Sequence, residues 1–198
     1  MVTQSPTRQL SDAEFDALLD QINAHHKATL EAVIEGKAKP SPLVLPDGVV
    51  ERDDYSDLPS DAIGAFATSR DNNTTQADVN KSNVSNVADQ RMKSQISEDD
   101  FDKQLDDQNR QNKQKYNDDQ DQLTQRLKDS GHKHPEKQND IVAALKQAGD
   151  WIIDHVWGAV KSFFEDLVQK LKDLWDKVVD WFKDKVNEIV NWWHGLFG

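Results

Sequence analysis

Apolar residues recur along this chain in distinct rhythms, and each rhythm predicts an element. From Ser11 to Gly36 they fall near one face of a helix, at Phe15, Leu18, Leu19, Ile22, Leu30, Val33 and Ile34. Ser11 and Glu14 stand at capping-box spacing, in which a hydroxyl and a carboxylate three residues apart satisfy the free N–H groups of a first turn. Gly36 is a natural C-terminal stop, so residues 1–36 read as an N-terminal amphipathic helix. Residues 37–60 carry Pro40, Pro42, Pro46 and Pro59 with an Asp47–Gly48 turn, the signature of a linker or extended arm with at most a short strand at Leu43–Leu45. Residues 61–96 are dominated by Ser, Asn, Asp, Thr and Gln, and disorder with local helix is expected there. Residues 37–96 thus form a Pro-containing linker followed by a polar segment.

The segment 97–130 has no Gly or Pro before its end and places Phe101, Leu105, Tyr116, Leu123 and Leu127 at helical intervals behind a possible Ser97 cap. The same face presents Gln108 and Asn112, so an isolated helix would be marginal and would need a partner. A loose polar coiled coil and a disordered tether are both open readings. Ser130–Pro135 is a clear break, because Gly ends helices and Pro cannot continue one, and 131–138 separates this segment from the next.

Residues 139–198 are the most periodic part of the chain, and the period is eleven. The rows are Ile153, Phe164, Trp175, Val186, Phe197; Val156, Leu167, Val178, Ile189; Trp157, Val168, Val179, Val190; Val160, Leu171, Phe182, Trp193; and Ile152, Phe163, Leu174, Lys185, Leu196. Lys185 alone is not apolar, and Ile141, Val142 and Leu145 extend the register toward the N-terminus. Eleven residues in three turns is about 3.67 per turn, close to the relaxed helix, so the stripe runs nearly straight. Trp181 and Trp192 widen the apolar arc to roughly 165°, broader than a two-stranded coiled-coil seam. The pattern predicts one long Trp-rich amphipathic helix over 139–198.

Charge sharpens the picture. Lys161, Lys172 and Lys183 border the arc on one side and Lys170 on the other, while Asp154, Glu165, Asp166, Asp173, Asp176, Asp180, Asp184 and Glu188 fill the polar face. Boundary lysines lay their methylenes on apolar surface and lift the ammonium to water or phosphate, and Trp suits the same interfacial layer. All six Trp, including Trp151 and Trp157, follow residue 150. A helix lying in a bilayer surface accounts for each feature. This tail resembles the lipid-binding helices of exchangeable apolipoproteins and other 11-residue-repeat coat proteins of lipid particles. The resemblance is one of pattern, and it implies a lipid-surface role for Trp151, Ile152, Val156, Trp157, Val160, Phe163, Phe164, Leu167, Leu171, Leu174, Trp175, Val178, Trp181, Phe182, Val186, Ile189, Trp192, Trp193, Leu196 and Phe197. The competing class is an assembly protein, in which the same face oligomerises or docks into a larger particle, since an 11-residue period also builds right-handed bundles. A membrane-perturbing role is a subtype of the first reading.

Composition narrows the function further. The chain has 198 residues, a formal net charge of -12, 36% hydrophobic residues and no Cys. Disulfides, thiolate metal sites and a Cys nucleophile are excluded, and the acidic balance argues against nucleic acid, whose binding draws on clustered Lys and Arg. Met1–Leu10 lacks the apolar stretch of a cleavable signal, and the tail is interrupted too often by charge to span a bilayer. The expectation is a chain made soluble and peripheral to a membrane or particle. The His132–Lys133–His134 run and the Asp-rich stretches of 98–121 lack metal-ligand spacing and read as solvated surface, and no catalytic motif or cofactor loop is present. The sequence therefore predicts a mostly α, elongated, non-enzymatic protein without a cofactor, with a polar, partly disordered middle and no sizeable globular core.

Overall fold

The computed structural model describes residues 8–35, 37–93, 95–157, 191–193 and 196. Among them the chain is mostly helical and contains no strand. Four helices, α1 (Asp12–Glu35), α2 (Ser60–Met92), α3 (Glu98–Lys133) and α4 (Gln138–Ile152), are followed by a π-helical turn at Ile153–Trp157.

Helix α1 begins where its capping box places it. Ser11 N–H donates to Glu14 Oε2 at 3.0 Å, and Glu14 N–H donates back to Ser11 Oγ at 3.3 Å. Phe15, Leu19, Ile22 and Leu30 are fully buried. Helix α3 starts on Ser97, whose hydroxyl accepts from Asp100 N–H at 3.1 Å. Its Phe101, Leu105, Tyr116, Leu123 and Leu127 are all buried, together with Gln108 and Asn112 of the same face.

The middle of the chain departs from expectation, because residues 60–92 form one continuous helix where disorder with local helix was expected over 61–96. Ala62, Ala65, Phe66, Val84 and Ala88 are buried at helical spacing, and the intervening places on that stripe hold buried Ser69, Asn73 and Asn80. These polar side chains meet amides and a carboxylate on α3. Gln76 Nε2 donates to Asn112 Oδ1 at 2.5 Å, and Gln108 Nε2 donates to Asn80 Oδ1 at 3.3 Å. A buried amide that finds such a partner loses little relative to water, so a helix poor in apolar residues is held by a polar seam.

Pairings along α3 show that it runs antiparallel to both neighbours. On one side Asp61 meets Ser130, Ser69 meets Asp119 and Asn80 meets Gln108. On the other, Asp16 faces His132, Asp20 faces Lys128, Lys27 faces Asp121 and Glu31 faces Lys113. Each such surface pair contributes only about 0–1 kcal/mol, but their order fixes the register of α1 on α3. Helix α4 packs beside α1 in the same direction, with Gln138 Nε2 donating to Asp12 Oδ1 at 2.7 Å at one end and His26 Nε2 standing 3.2 Å from Asp150 Oδ1 at the other.

Two glycines set these crossings. A Cβ at Gly131 would stand 2.3 Å from the Phe15 ring, and one at Gly149 would stand 2.0 Å from His26. Gly131 therefore does not end α3, as the sequence led us to expect. It lies within the helix, and the chain turns at His134 into a 3-10 turn at Pro135–Lys137 before α4.

The arm 37–59 is irregular, with the anticipated turn at Asp47–Gly48, where Gly48 has φ 92°, and no strand at Leu43–Leu45. It straps α4. Tyr55 is fully buried, its Oη donates to Gln147 Oε1 at 3.0 Å and accepts from Arg52 N–H at 2.9 Å, and Lys146 pairs with Glu51 at 2.8 Å. The absence of a sizeable core, expected from composition, is also corrected. A contiguous buried cluster draws on all four helices, on Val49, Tyr55 and Leu58 of the arm, and on Trp193 and Leu196. No single helix supplies enough apolar surface, but pooled around α3 and α4 they enclose Ile141, Val142 and Leu145 completely.

Candidate functional site

The predicted lipid-facing residues enter the described structure at the two ends of the C-terminal repeat. At the first end, Ile152 and Trp157 are buried, Trp151 is half-buried, and Val156 lies in the π turn. At the second, Trp193 and Leu196 are buried and Trp192 is half-buried. Val160, Phe163, Phe164, Leu167, Leu171, Leu174, Trp175, Val178, Trp181, Phe182, Val186, Ile189 and Phe197, with Lys161, Lys170, Lys172 and Lys183, lie outside the described residues.

The two ends meet. The Trp151 and Trp192 rings stack at 4.2 Å with an interplanar angle of 6°, and Trp151 also stacks on His155 at 4.7 Å. Trp193 stands edge-on to Trp192 at 5.2 Å, and Tyr55 N–H donates to the Leu196 carbonyl at 2.9 Å. At 1.5 Å per residue, an unbroken straight helix would hold Trp151 and Trp192 roughly 60 Å apart. The single straight helix expected over 139–198 is incompatible with this contact. The π turn at Ile153–Trp157 already interrupts its regular register. The result is a partly exposed Trp pair beside a buried Trp at one place on the body.

Charged groups brace the first end. Asp150 lies between His26 and Lys146, whose Nζ is 2.9 Å away. Burial alone would raise the Asp150 carboxyl, but these two neighbours outweigh it and hold the pKa at about 2. The His26 ring, wholly buried, reaches Asp150 at ion-pair distance without aligning for a hydrogen bond. Lys39 reaches from the arm to Asp154.

Comparison of the chain with protein-family models, curated proteins and solved structures returns no match.

A second feature escaped the sequence reading. A cleft of about 310 Å³ opens between α2 and α3, lined by Asn72 and Gln76 on one side, Tyr116, Asp119 and Gln122 on the other, and Trp157. The Tyr116 and Trp157 rings meet edge to face at 5.9 Å. Asp119 accepts from Ser69 Oγ and from the Asn72 and Asn73 amides, and among the described residues it has no ion-pair partner. Burial raises its carboxyl above the ordinary value, against the opposing hydrogen bonds from Asn72 and Ser69 and the charge of Arg126. Burial likewise pushes the Tyr116 phenol up, and neither Tyr116 Oη nor Trp157 Nε1 has a hydrogen-bond partner among the described residues. In the sequence Asp119 belongs to a run of acids expected to be solvated, and nothing in its spacing distinguishes it from Asp118 or Asp121.

Proposed function

We propose that this chain is a non-enzymatic lipid-surface-binding protein, in which a helical body carries the Trp-rich 11-residue repeat to a membrane or lipid particle. The carrying observation is the stacked, half-buried Trp151–Trp192 pair, with buried Trp193 beside it. Indoles that are partly covered and partly wet suit the interfacial layer of a bilayer. The repeat between them offers apolar side chains at about 1 kcal/mol each when partly buried, a large gross gain before ordering costs. The charge from Trp151 to Gly198 is balanced closely enough that anionic lipid should matter little. Among the described residues no helix is long and apolar enough to cross a membrane. In the repeat itself Asp, Glu and Lys recur every few residues, and contact along the surface is the form proposed.

A second reading has its own support. Ile152, Ile153, Trp157, Trp193 and Leu196 are buried against protein, as the face of an assembly module would be. Vesicle flotation separates the two. The full chain should float on neutral and anionic vesicles alike, and the Phe164→Asp/Trp175→Asp variant should remain in the dense fraction. A wild-type chain that stays dense and elutes as a discrete oligomer would replace lipid binding with assembly, and dye release from the floated vesicles would identify the membrane-perturbing subtype.

A further inference from the structure

The α2–α3 cleft holds a combination of groups that the surface-binding reading does not use. The Asp119 carboxylate between two helices accepts from three neutral donors and has no cation at ion-pair distance among the described residues, with Arg126 acting on it only from farther off. The same cleft is walled by two aromatic rings set edge to face, Tyr116 and Trp157. Aromatic faces attract cations, and they favour those that also carry apolar surface, because quaternary and alkylated ammonium groups shed their hydration more readily than small inorganic ions. The volume is at the lower end of the range used for small ligands. Lys115 lines the cleft as well and offers a positive partner for an anionic group on the same ligand.

We propose that this cleft binds an organic ammonium group of the choline or ethanolamine type, with its charge set against Asp119 and its carbon surface against Tyr116 and Trp157. A single carboxylate with neutral amides is too poor a ligand set for a divalent metal, which takes several oxygen ligands and has no use for the rings. A neutral sugar would satisfy the amides and leave the carboxylate without a counter-charge. The phosphate that accompanies such an ammonium in phosphocholine or phosphoethanolamine would fall to Lys115. The ligand can come from a lipid headgroup or from the free water-soluble molecule. Trp157 is the one residue the cleft shares with the repeat, and it is buried in the body, so a chain that failed to float would still take the free ligand.

Titration calorimetry of the full chain with choline, phosphocholine, inorganic phosphate and the uncharged choline isostere 3,3-dimethylbutan-1-ol tests the proposal. Choline and phosphocholine should bind saturably, the uncharged isostere should bind about tenfold more weakly or worse, and phosphate alone should not bind. Asp119→Asn should weaken choline by about tenfold while the helical circular dichroism spectrum is kept. Should that variant fail to fold, choline against its isostere on the unaltered chain still decides. Phosphatidylcholine vesicles, compared with vesicles of phosphatidylglycerol, separate the sources: competition by phosphatidylcholine for phosphocholine binding assigns the headgroup, and its absence assigns the free molecule. No saturable binding of either ammonium, or equal binding of the isostere, overturns the proposal.

Discussion

At the scale of single residues, close approach and charge placement carry the strongest consequences. Gly131 and Gly149 sit inside helices, where Ala is ordinarily the better residue by up to about 1 kcal/mol. Here an added Cβ would enter the Phe15 ring or the His26 ring, so the sign reverses. Gly131→Ala and Gly149→Ala should each lose about 1–3 kcal/mol in urea unfolding, the range of overpacked cores. Gly64, in α2 with nothing within 4 Å of its hypothetical Cβ, is the control, and Gly64→Ala should gain about 0.5–1 kcal/mol. Equal effects at all three positions would contradict the packing described. Acid response follows from Asp57 and Asp150. Hydrogen bonds from Arg52 and Lys137 hold the Asp57 carboxyl at about 2, and the neighbours of Asp150 hold it at about 2 against burial. Both folded values lie below the ordinary Asp value of 3.8, so their contribution is complete above that pH and is lost as pH falls toward 2. Urea midpoints should fall through this window, and Asp57→Asn/Asp150→Asn should flatten the decline while lowering stability at neutral pH. A decline of unchanged steepness in the double variant would locate the acid sensitivity elsewhere.

At the scale of elements, the α2–α3 pair shows why local pattern sufficed for some helices and failed for another. Helix α1 was legible because its cap and apolar spacing are written within one segment, at Ser11 and Glu14, whereas Ser97 with Phe101, Leu105 and Leu127 left α3 open between a helix and a disordered tether. Helix α2 was not legible, because its inward stripe includes Ser69, Asn73 and Asn80, whose burial is affordable only opposite amides and a carboxylate many residues away. A single-sequence pattern scores such residues as solvated. Gly131 misled for the same reason, since its partner is Phe15. The cleft was illegible because Asp119 differs from its acidic neighbours only in what α2 places opposite it. This seam makes its own prediction. Asn80→Leu or Gln108→Leu alone leaves a buried amide without its partner and should cost about 1–3 kcal/mol. The double substitution removes both, and the cycle should return a coupling of at least about 0.5 kcal/mol, with the double variant closer to wild type than the sum of the singles. Strict additivity would mean that the two side chains do not act as a pair.

At the scale of the whole molecule, the question is how much of the repeat is available to lipid. Ile141, Val142, Leu145 and Ile153 are fully enclosed, and Ile152 nearly so. Moving them from the body to a bilayer would exchange one apolar environment for another, with no gain to offset the loss of packing at about 1.5–3 kcal/mol per side chain. On the proposed reading the enclosed side chains of α4 belong to the body, although α4 shares the repeat's register in sequence, and lipid contact falls to the half-buried Trp151–Trp192 pair and to the repeat after Trp157. The two regions should then separate by assay. Leu145→Asp places a charge in the enclosed cluster and should destabilise the chain by several kcal/mol, enough to abolish cooperative unfolding, whatever lipid is present. Phe164→Asp should leave the urea midpoint of the body close to wild type and abolish flotation, because its cost falls on the bound state alone. If Phe164→Asp instead lowers the midpoint as far as Leu145→Asp does, the repeat is part of the folded core, and the face assigned here to lipid is one the protein covers for itself.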